Sequence, residues 1–207
     1  MEKLNTYFDF IRCEHDQCSE LALTGKTTCW KHLVSQPDYI NHIIKSIADG
    51  VSLSRWVLQG VDLTNANLPK ADLSYACLIG AKLDGANLQQ ANLHRAHLDS
   101  ASLINANLTE ANLEFAILGR ADLSNAMLDG ANLKRSNLVG AIACGASCRR
   151  AQFFYSRPGN ADFSEVDFSG ADMTRAIFRR AKLINANLSE AVGIANFDRA
   201  DLTGAKQ

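Results

Sequence analysis

The chain has 207 residues, 47% of them hydrophobic, with 21 Lys/Arg against 22 Asp/Glu and a formal net charge of −1. That length allows one or two domains. The charge is evenly spread, with six Lys/Arg and seven Asp/Glu in residues 1–60 and fifteen of each in residues 61–207. This excludes a general basic field for nucleic-acid phosphates and the acidic excess a DNA mimic needs. No apolar stretch approaches a membrane span, and Met1-Glu2-Lys3 leads into no apolar signal core, so the expected compartment is the cytoplasm. In that compartment six cysteines, three of them before residue 30, read as metal ligands plus inert thiols rather than disulfides.

The first expected module spans residues 1–34. Its core is Cys13-x4-Cys18-x10-Cys29-x2-His32, two close pairs of soft or borderline donors. Each pair can clasp one edge of a tetrahedral zinc ion, and Leu21–Thr28, turning at Gly25, returns the second pair to the first. The pattern resembles small bacterial Cys3His knuckles, which implies a structural Zn2+. Four protein ligands would leave no open position for water, so no catalysis is expected at this metal. Unliganded thiols, another metal, or His15 in place of one ligand are the other readings of the same residues.

A helix is expected over residues 35–50. Ser35 precedes Pro37 and an acidic Asp38, Ile40, Ile43, Ile44 and Ile47 follow helical spacing, and Gly50 stops the run. An apolar stripe needs a partner, and an open first coil needs a cover against edge pairing, so the helix is expected to cap the element that follows. Val51–Leu58 keeps that element's phase imperfectly, with Trp56 placed to plug its end.

From Val61 to Ala191 an alanine or near-equivalent recurs every fifth residue, with Leu or Phe two positions later: VDLTN, ANLPK, ADLSY, ACLIG. A step of five smears around a helix and alternates faces on a strand, so each pentamer must be one short side of a closed coil. Ala and Leu are expected to point inward. Asp or Asn before each Leu suits a tight turn with unusual φ, and the last two residues of each unit face solvent. The array resembles the pentapeptide-repeat family, whose motif is A(D/N)LXX, over about 70% of the chain. The resemblance implies an all-β solenoid, a right-handed quadrilateral parallel β-helix of about seven coils over residues 51–207.

Two irregularities stand out. In residues 141–160 the Leu positions become Ala143, Cys148, Phe153 and Pro158, and residues 156–160 are expected to bulge or leave the coil. Ala191–Ile194 has only four residues, which suggests a kink or an ending coil. The last residues stop within repeat-like sequence, so a homodimer through an uncapped C-terminal coil, fraying, or a longer natural chain are all open.

Folding the sequence on a twenty-residue period yields one ordered outward column: Tyr75, Arg95, Phe115, Arg135, Tyr155, Arg175, flanked by His94, Glu114, Lys134 and Phe154. It is either a self-stabilising cation–π ladder or the binding face for a protein partner. Arg149-Arg150, Arg157, Arg175 and Arg179-Arg180 lie on different sides and read as solvated rims or a local anion patch. Cys77 and His97 stack in one column, but no orienting carboxylate or oxyanion donors accompany them, so no enzyme is expected. The expected function is a non-catalytic protein-interaction scaffold with an unidentified partner, no membrane role and little to hold nucleic acid. The family resemblance also implies a rival, a DNA-mimicking protein that binds topoisomerases such as gyrase and confers quinolone protection, against which the balanced charge counts.

Overall fold

The computed structural model describes residues 11–207, and the first ten residues of the expected 1–34 module lie outside the described residues. From Val57 onward, parallel bridges join each residue before a Leu position to the residue twenty further on: Val57 to Cys77, Asp62 to Lys82, Asn67 to Asn87, Asp72 to Asn92. One turn of the solenoid therefore takes four pentapeptides. The ladder has two bonds per bridge. Leu63 donates its amide forward to the Lys82 carbonyl at 2.7 Å, and Lys82 donates back to the Val61 carbonyl at 2.9 Å.

Between bridges the chain turns a corner. The Ala66 amide donates to the Leu63 carbonyl at 3.0 Å, and Asn65 between them has φ 58°. An i to i+3 bond with positive φ at the third residue is the signature of a type II turn. The unusual φ thus falls two residues after each Leu, not on the Asp/Asn before it, which corrects the expectation from sequence. Asp62 is extended, and its carboxylate accepts the Thr64 amide at 3.1 Å. Asn87, Asn92 and Asp162 do the same for Gln89, His94 and Ser164. The Asp/Asn preference comes from this side-chain bond that satisfies a turn amide.

Almost every Ala and Leu of the repeat is buried, so the leucines stack into one apolar column along the axis. Each buried Leu contributes about 1.5–3 kcal/mol, and Ala is required where adjacent sides crowd. The altered coil at 141–160 stays in this column. Arg157 bridges Asn137, and Ser156 is buried, so the expected bulge or loop at 156–160 does not form. Only the bridge from Arg157 to Ile177 is missing from the ladder. Ile177 still donates to Ser156 at 3.0 Å, but Pro158 has no amide for the return bond. Core volume is restored one turn later. Phe163, Phe168 and Phe178 stand twenty residues after the small Ala143, Cys148 and Pro158, and their rings pack with Phe153 at 5.3–6.3 Å between centroids.

The short step at 191–194 neither kinks the chain away nor ends the coil. Asp172 pairs with Val192, and the ladder resumes with a nineteen-residue offset at Ile177–Asn196, Lys182–Asp201 and Asn187–Lys206. Gly193, at φ 90°, makes the closure: a Cβ there would lie 2.1 Å from Thr174 Oγ1 and 2.6 Å from its amide nitrogen. In this last coil Ala195, Phe197, Ala200 and Leu202 are only partly buried.

Helix α1, Gln36–Ala48, begins at Ser35, whose hydroxyl accepts the Asp38 amide at 3.4 Å, with Pro in the first turn. Its buried residues are Tyr39, Ile43 and Ser46, with Ile47 packed alongside. Ile44, expected inside, is 38% exposed. The face is rotated because Tyr39 reaches inward and donates its hydroxyl to the Thr24 carbonyl at 3.0 Å. Leu23, Tyr39 and Ile43 belong to the same buried cluster as Leu53, Leu58 and the leucines of the rod.

Candidate metal centre and surface stripe

The four donors proposed from spacing converge. Their ligand atoms in Cys13, Cys18, Cys29 and His32 all lie within 4.8 Å of one another. Cys18 Sγ is 3.8 Å from Cys29 Sγ, and His32 Nδ1 is 3.3 Å from Cys13 Sγ and 3.5 Å from Cys29 Sγ. A tetrahedral zinc with Zn–S of about 2.3 Å and Zn–N of about 2.0 Å requires edges of about 3.8 Å between sulfurs and about 3.6 Å from sulfur to nitrogen. The donor set fits that ion in identity and spacing. His15 is not part of the cluster; it stacks on the His32 ring at 4.1 Å.

Local structure explains the convergence. Arg12 and Leu21 form an antiparallel bridge, and the Cys13 amide donates to the Glu20 carbonyl at 3.0 Å, so the first pair of cysteines flanks a hairpin. A short 3-10 turn at Trp30–His32 swings His32 back over Cys29, its amide donating to the Cys29 carbonyl at 3.1 Å. Burial pushes the Cys13 thiol up, but hydrogen bonds from the Cys29 and His15 backbone and from the His32 and Cys29 side chains prevail and bring it down to about 6. At Cys18 the Glu20 backbone bond lowers the thiol, while burial and the neighbouring Cys29 and Cys13 sulfurs raise it on balance. One thiol inclined to thiolate among closely spaced sulfurs is what a cation would complete.

The loop between Cys18 and Cys29 is tied to the rod. Thr24 donates its amide to the Val57 carbonyl at 3.2 Å and accepts the Val57 amide on its hydroxyl at 2.7 Å. Gln59 donates to the Glu20 carboxylate at 2.6 Å and accepts the Leu21 amide at 3.4 Å. Nothing in the sequence signals these contacts.

On the rod, the outward column is assembled as a stack. Arg95 lies over Tyr75 at 5.9 Å and over Phe115 at 5.0 Å, Arg135 over Phe115 at 5.3 Å, and Arg175 over Tyr155 at 5.1 Å. Arg55, absent from the sequence reading because its pentamer is irregular, begins the column 5.6 Å from Tyr75. No such stacking joins Arg135 to Tyr155 among the described residues. His94 packs edge-on to Tyr75 and Phe115 at 5.7 and 5.8 Å and faces Glu114 at 3.9 Å. Beside it, Glu114, Lys134, Arg135, Phe154 and Asp172 line a hollow of about 370 Å³.

Every stripe residue sits at the left-handed turn position, with φ from 56° at Arg95 to 64° at Arg55. For an L-residue with Cβ that conformation costs roughly 1–2 kcal/mol. The diagonally opposite corner mostly uses the inexpensive choices, with Asn65, Gly85, Asn105, Asn125, Gly145 and Asn185 in one column and Glu165 as its exception. An exposed cation–π contact contributes about 0.5–1 kcal/mol. Stacking therefore offsets the strain at best, and stability alone does not select Arg, Tyr and Phe over Gly or Asn here. The column ends at Arg175 for a structural reason. Arg175 donates to Ile194 at 2.8 Å and Ile177 pairs with Asn196, so the residue missing from the short step is the column's next position.

The other candidates resolve into the scaffold. Cys77 and His97 are partners in one bridge, and burial raises the Cys77 thiol, the opposite of nucleophile activation. Of the clustered arginines, Arg149 pairs with Asp129 and Arg179 with Asp198. Among the described residues no helix is long and apolar enough to cross a membrane.

A family profile matches the repeat. The profile of pentapeptide repeats matches in eight copies over residues 49–85, 76–113, 106–142 and 160–192, leaving the altered coil unmatched. Among solved structures, HetL, a pentapeptide repeat protein involved in heterocyst differentiation regulation from Nostoc sp. strain PCC 7120, is 27% identical. The match covers 80% of this chain and 93% of HetL, with a TM-score of 0.42. Rfr23, a pentapeptide repeat protein from Cyanothece 51142, is 25% identical over 56% of this chain and 58% of its own, with a TM-score of 0.26. Full-length QnrB1, a plasmid-mediated fluoroquinolone resistance protein, is 19% identical over 75% of this chain and 87% of its own, with a TM-score of 0.36. The search of curated proteins found no match. On its repeat, its twenty-residue ladder and the family profile, this chain belongs to the pentapeptide-repeat family.

Proposed function

We propose that the protein is a non-catalytic interaction scaffold of the cytoplasm, a right-handed four-sided rod of about seven coils that binds a protein partner through its Arg/aromatic stripe. The observation that supports this reading is the cost of the stripe. Seven consecutive corners of one side carry Arg, Tyr or Phe in a backbone conformation that Gly or Asn adopts more cheaply. Tyr and Arg are also the side chains enriched where binding energy concentrates.

At the other end, Cys13, Cys18, Cys29 and His32 hold a structural Zn2+, which fixes the loop that carries Thr24 against the first coil, and α1 covers the core beside it. The ion's role is mechanical. With four protein donors it has no open site, and it holds in place a segment too small to keep its shape alone. The partly buried last coil is a candidate homodimer contact, for which sedimentation of the purified chain is the measurement.

The test is affinity capture from the native host with the wild-type chain and with the Arg95→Ala, Arg135→Ala double variant, quantified side by side. Proteins retained by the wild type and lost with the variant support the reading. An identical set on both, with the variant folded by circular dichroism, removes the stripe as the binding face.

A further inference from the structure

Sorting the rod by side shows a charge polarity that the even linear distribution hides. Take the side that ends in the stripe and the one after it, whose corners include Gly80 and Arg120. Over residues 51–199 these two sides carry ten Lys/Arg, including Arg55, Lys134, Arg157 and Arg180, against five Asp/Glu. Over the same residues the two sides opposite carry five Lys/Arg against nine Asp/Glu, with Asp62, Asp84, Asp122 and Asp162 on a single side. A rod of nearly zero net charge therefore presents a basic half and an acidic half, and the stripe lies on the basic half.

The stripe arginines are poised for an anion. Among the described residues the side chains of Arg55, Arg95 and Arg135 make no ion pair or hydrogen bond and interact with the rings alone, whereas the Arg175 guanidinium also donates to the Tyr155 hydroxyl. A guanidinium held over an aromatic face keeps its in-plane N–H edge for a carboxylate, and its restricted rotamer lowers the ordering cost of binding. Of the acidic groups beside the stack, Glu114 faces His94 and Asp172 accepts the Thr174 amide.

Spacing selects the ligand's shape. One coil advances about 4.8 Å, so arginines two coils apart stand about 9.6 Å apart. A polyproline II chain repeats every three residues in about 9.3 Å, with every third side chain on one face. Its mismatch over the three intervals from Arg55 to Arg175 is about 1 Å. Same-face residues of a β-strand repeat at about 6.8 Å, and the mismatch over the same span is about 8 Å. Single-stranded nucleic acid fits less well, because base stacking needs open ring faces and Tyr75 and Phe115 each have guanidiniums over them.

Resting on the scaffold reading above, we propose that the stripe docks an acidic segment of a protein partner in polyproline II conformation, with a carboxylate at every third residue seated on Arg55, Arg95, Arg135 and Arg175. The aromatic rings between them act as spacers that set the period and hold each guanidinium.

The test uses the full chain and fluorescein-labelled twelve-residue peptides, read by fluorescence anisotropy at low salt. The probe is Glu-Pro-Pro repeated four times. The controls are a peptide of the same composition with its four glutamates adjacent, Lys-Pro-Pro repeated four times, and a twelve-nucleotide oligothymidylate. Expected is at least tenfold tighter binding of the periodic acidic peptide than of any control. Expected also is a loss of at least tenfold with Arg95→Ala, Arg135→Ala, and an intermediate loss with Arg95→Lys, Arg135→Lys, with both variants folded by circular dichroism. Equal affinity for the clustered-glutamate peptide, or no change with the alanine variant, overturns the inference, and tighter oligothymidylate binding transfers the stripe to nucleic acid. If host proteins are lost with the stripe variant but the peptide does not bind, the acidic-segment inference falls and the scaffold reading stands. If capture is also indifferent to the stripe, both fall.

Discussion

Thr24 holds Val57 by both of its backbone groups, donating to its carbonyl at 3.2 Å and accepting its amide on the hydroxyl at 2.7 Å. Val57 is the residue that begins the twenty-residue ladder. An exposed ladder edge is a template for pairing with other chains. Thr24 therefore occupies the place of the missing preceding coil, and the loop between Cys18 and Cys29 closes this part of the edge. Replacing the hydroxyl alone should show its worth. Thr24→Val is expected to lower stability by about 1 kcal/mol, as one donor loses its partner, and to speed exchange of the Val57 amide ahead of the inner ladder. Measured by urea unfolding and by NMR hydrogen exchange, unchanged protection at Val57 would show that the hydroxyl is dispensable.

The same contact links the Cys/His cluster to the rod. Purified protein is expected to contain about one zinc per chain, since four donors of matched spacing form one closed site. Chelation should release the loop and leave the leucine column of the inner coils folded. The far-ultraviolet signal of the β-helix is expected to persist while light scattering reports end-to-end association. Metal analysis finding no zinc, or chelation without any change in self-association, would separate the cluster from edge protection.

The aromatic coil beneath the small residues gives a packing prediction. Phe168 is fully buried and contacts Phe153, Phe163 and Phe178 with centroid separations of 5.4, 5.3 and 5.8 Å. Phe168→Ala is expected to cost about 3–5 kcal/mol, because Cys148 in the coil above is too small to fill the void. Denaturant unfolding measures the loss. Phe168→Leu should lose less, and Cys148→Leu combined with it should recover part of the difference.

Asp62, Asp72, Asp129, Asp162 and Asp201 are all held below the usual carboxylate value, and Asp162 should carry a measurable share of the acid sensitivity. At Asp162 burial pushes the carboxyl up, but hydrogen bonds from the Ser164 hydroxyl, Lys182, the Ser164 amide and Cys144 outweigh it and bring the value down to about 2. The folded value is depressed below the unfolded one. Its stabilisation is therefore present above about pH 4 and is lost as pH falls through about 2. Wild type is expected to lose more stability between pH 5 and pH 2 than Asp162→Asn. Parallel losses in the two proteins would assign the acid response to other carboxylates.

Much of this architecture is legible in the order of residues, because each pentapeptide repeats one local problem. An inward Leu, an inward Ala and a side-chain oxygen for a turn amide recur at fixed spacing, and that pattern is enough to identify a coil and its core. The convergence of Cys13, Cys18, Cys29 and His32 is legible for the same reason, since close pairs of Cys and His carry their geometry in their spacing. What the order of residues could not show is what lies one turn away. Arg55 joins the stripe, Phe163 and Phe168 compensate for Ala143 and Cys148, Gly193 closes a short side, and Thr24 completes the first coil, each through contacts between residues about twenty or more apart. Sequence by itself determined the period and which positions face the axis. The tertiary structure decided which residues stack, which corner bears the strain and how the rod's first edge is closed, because hydrogen bonding and packing between turns depend on vertical neighbours that the linear repeat does not distinguish.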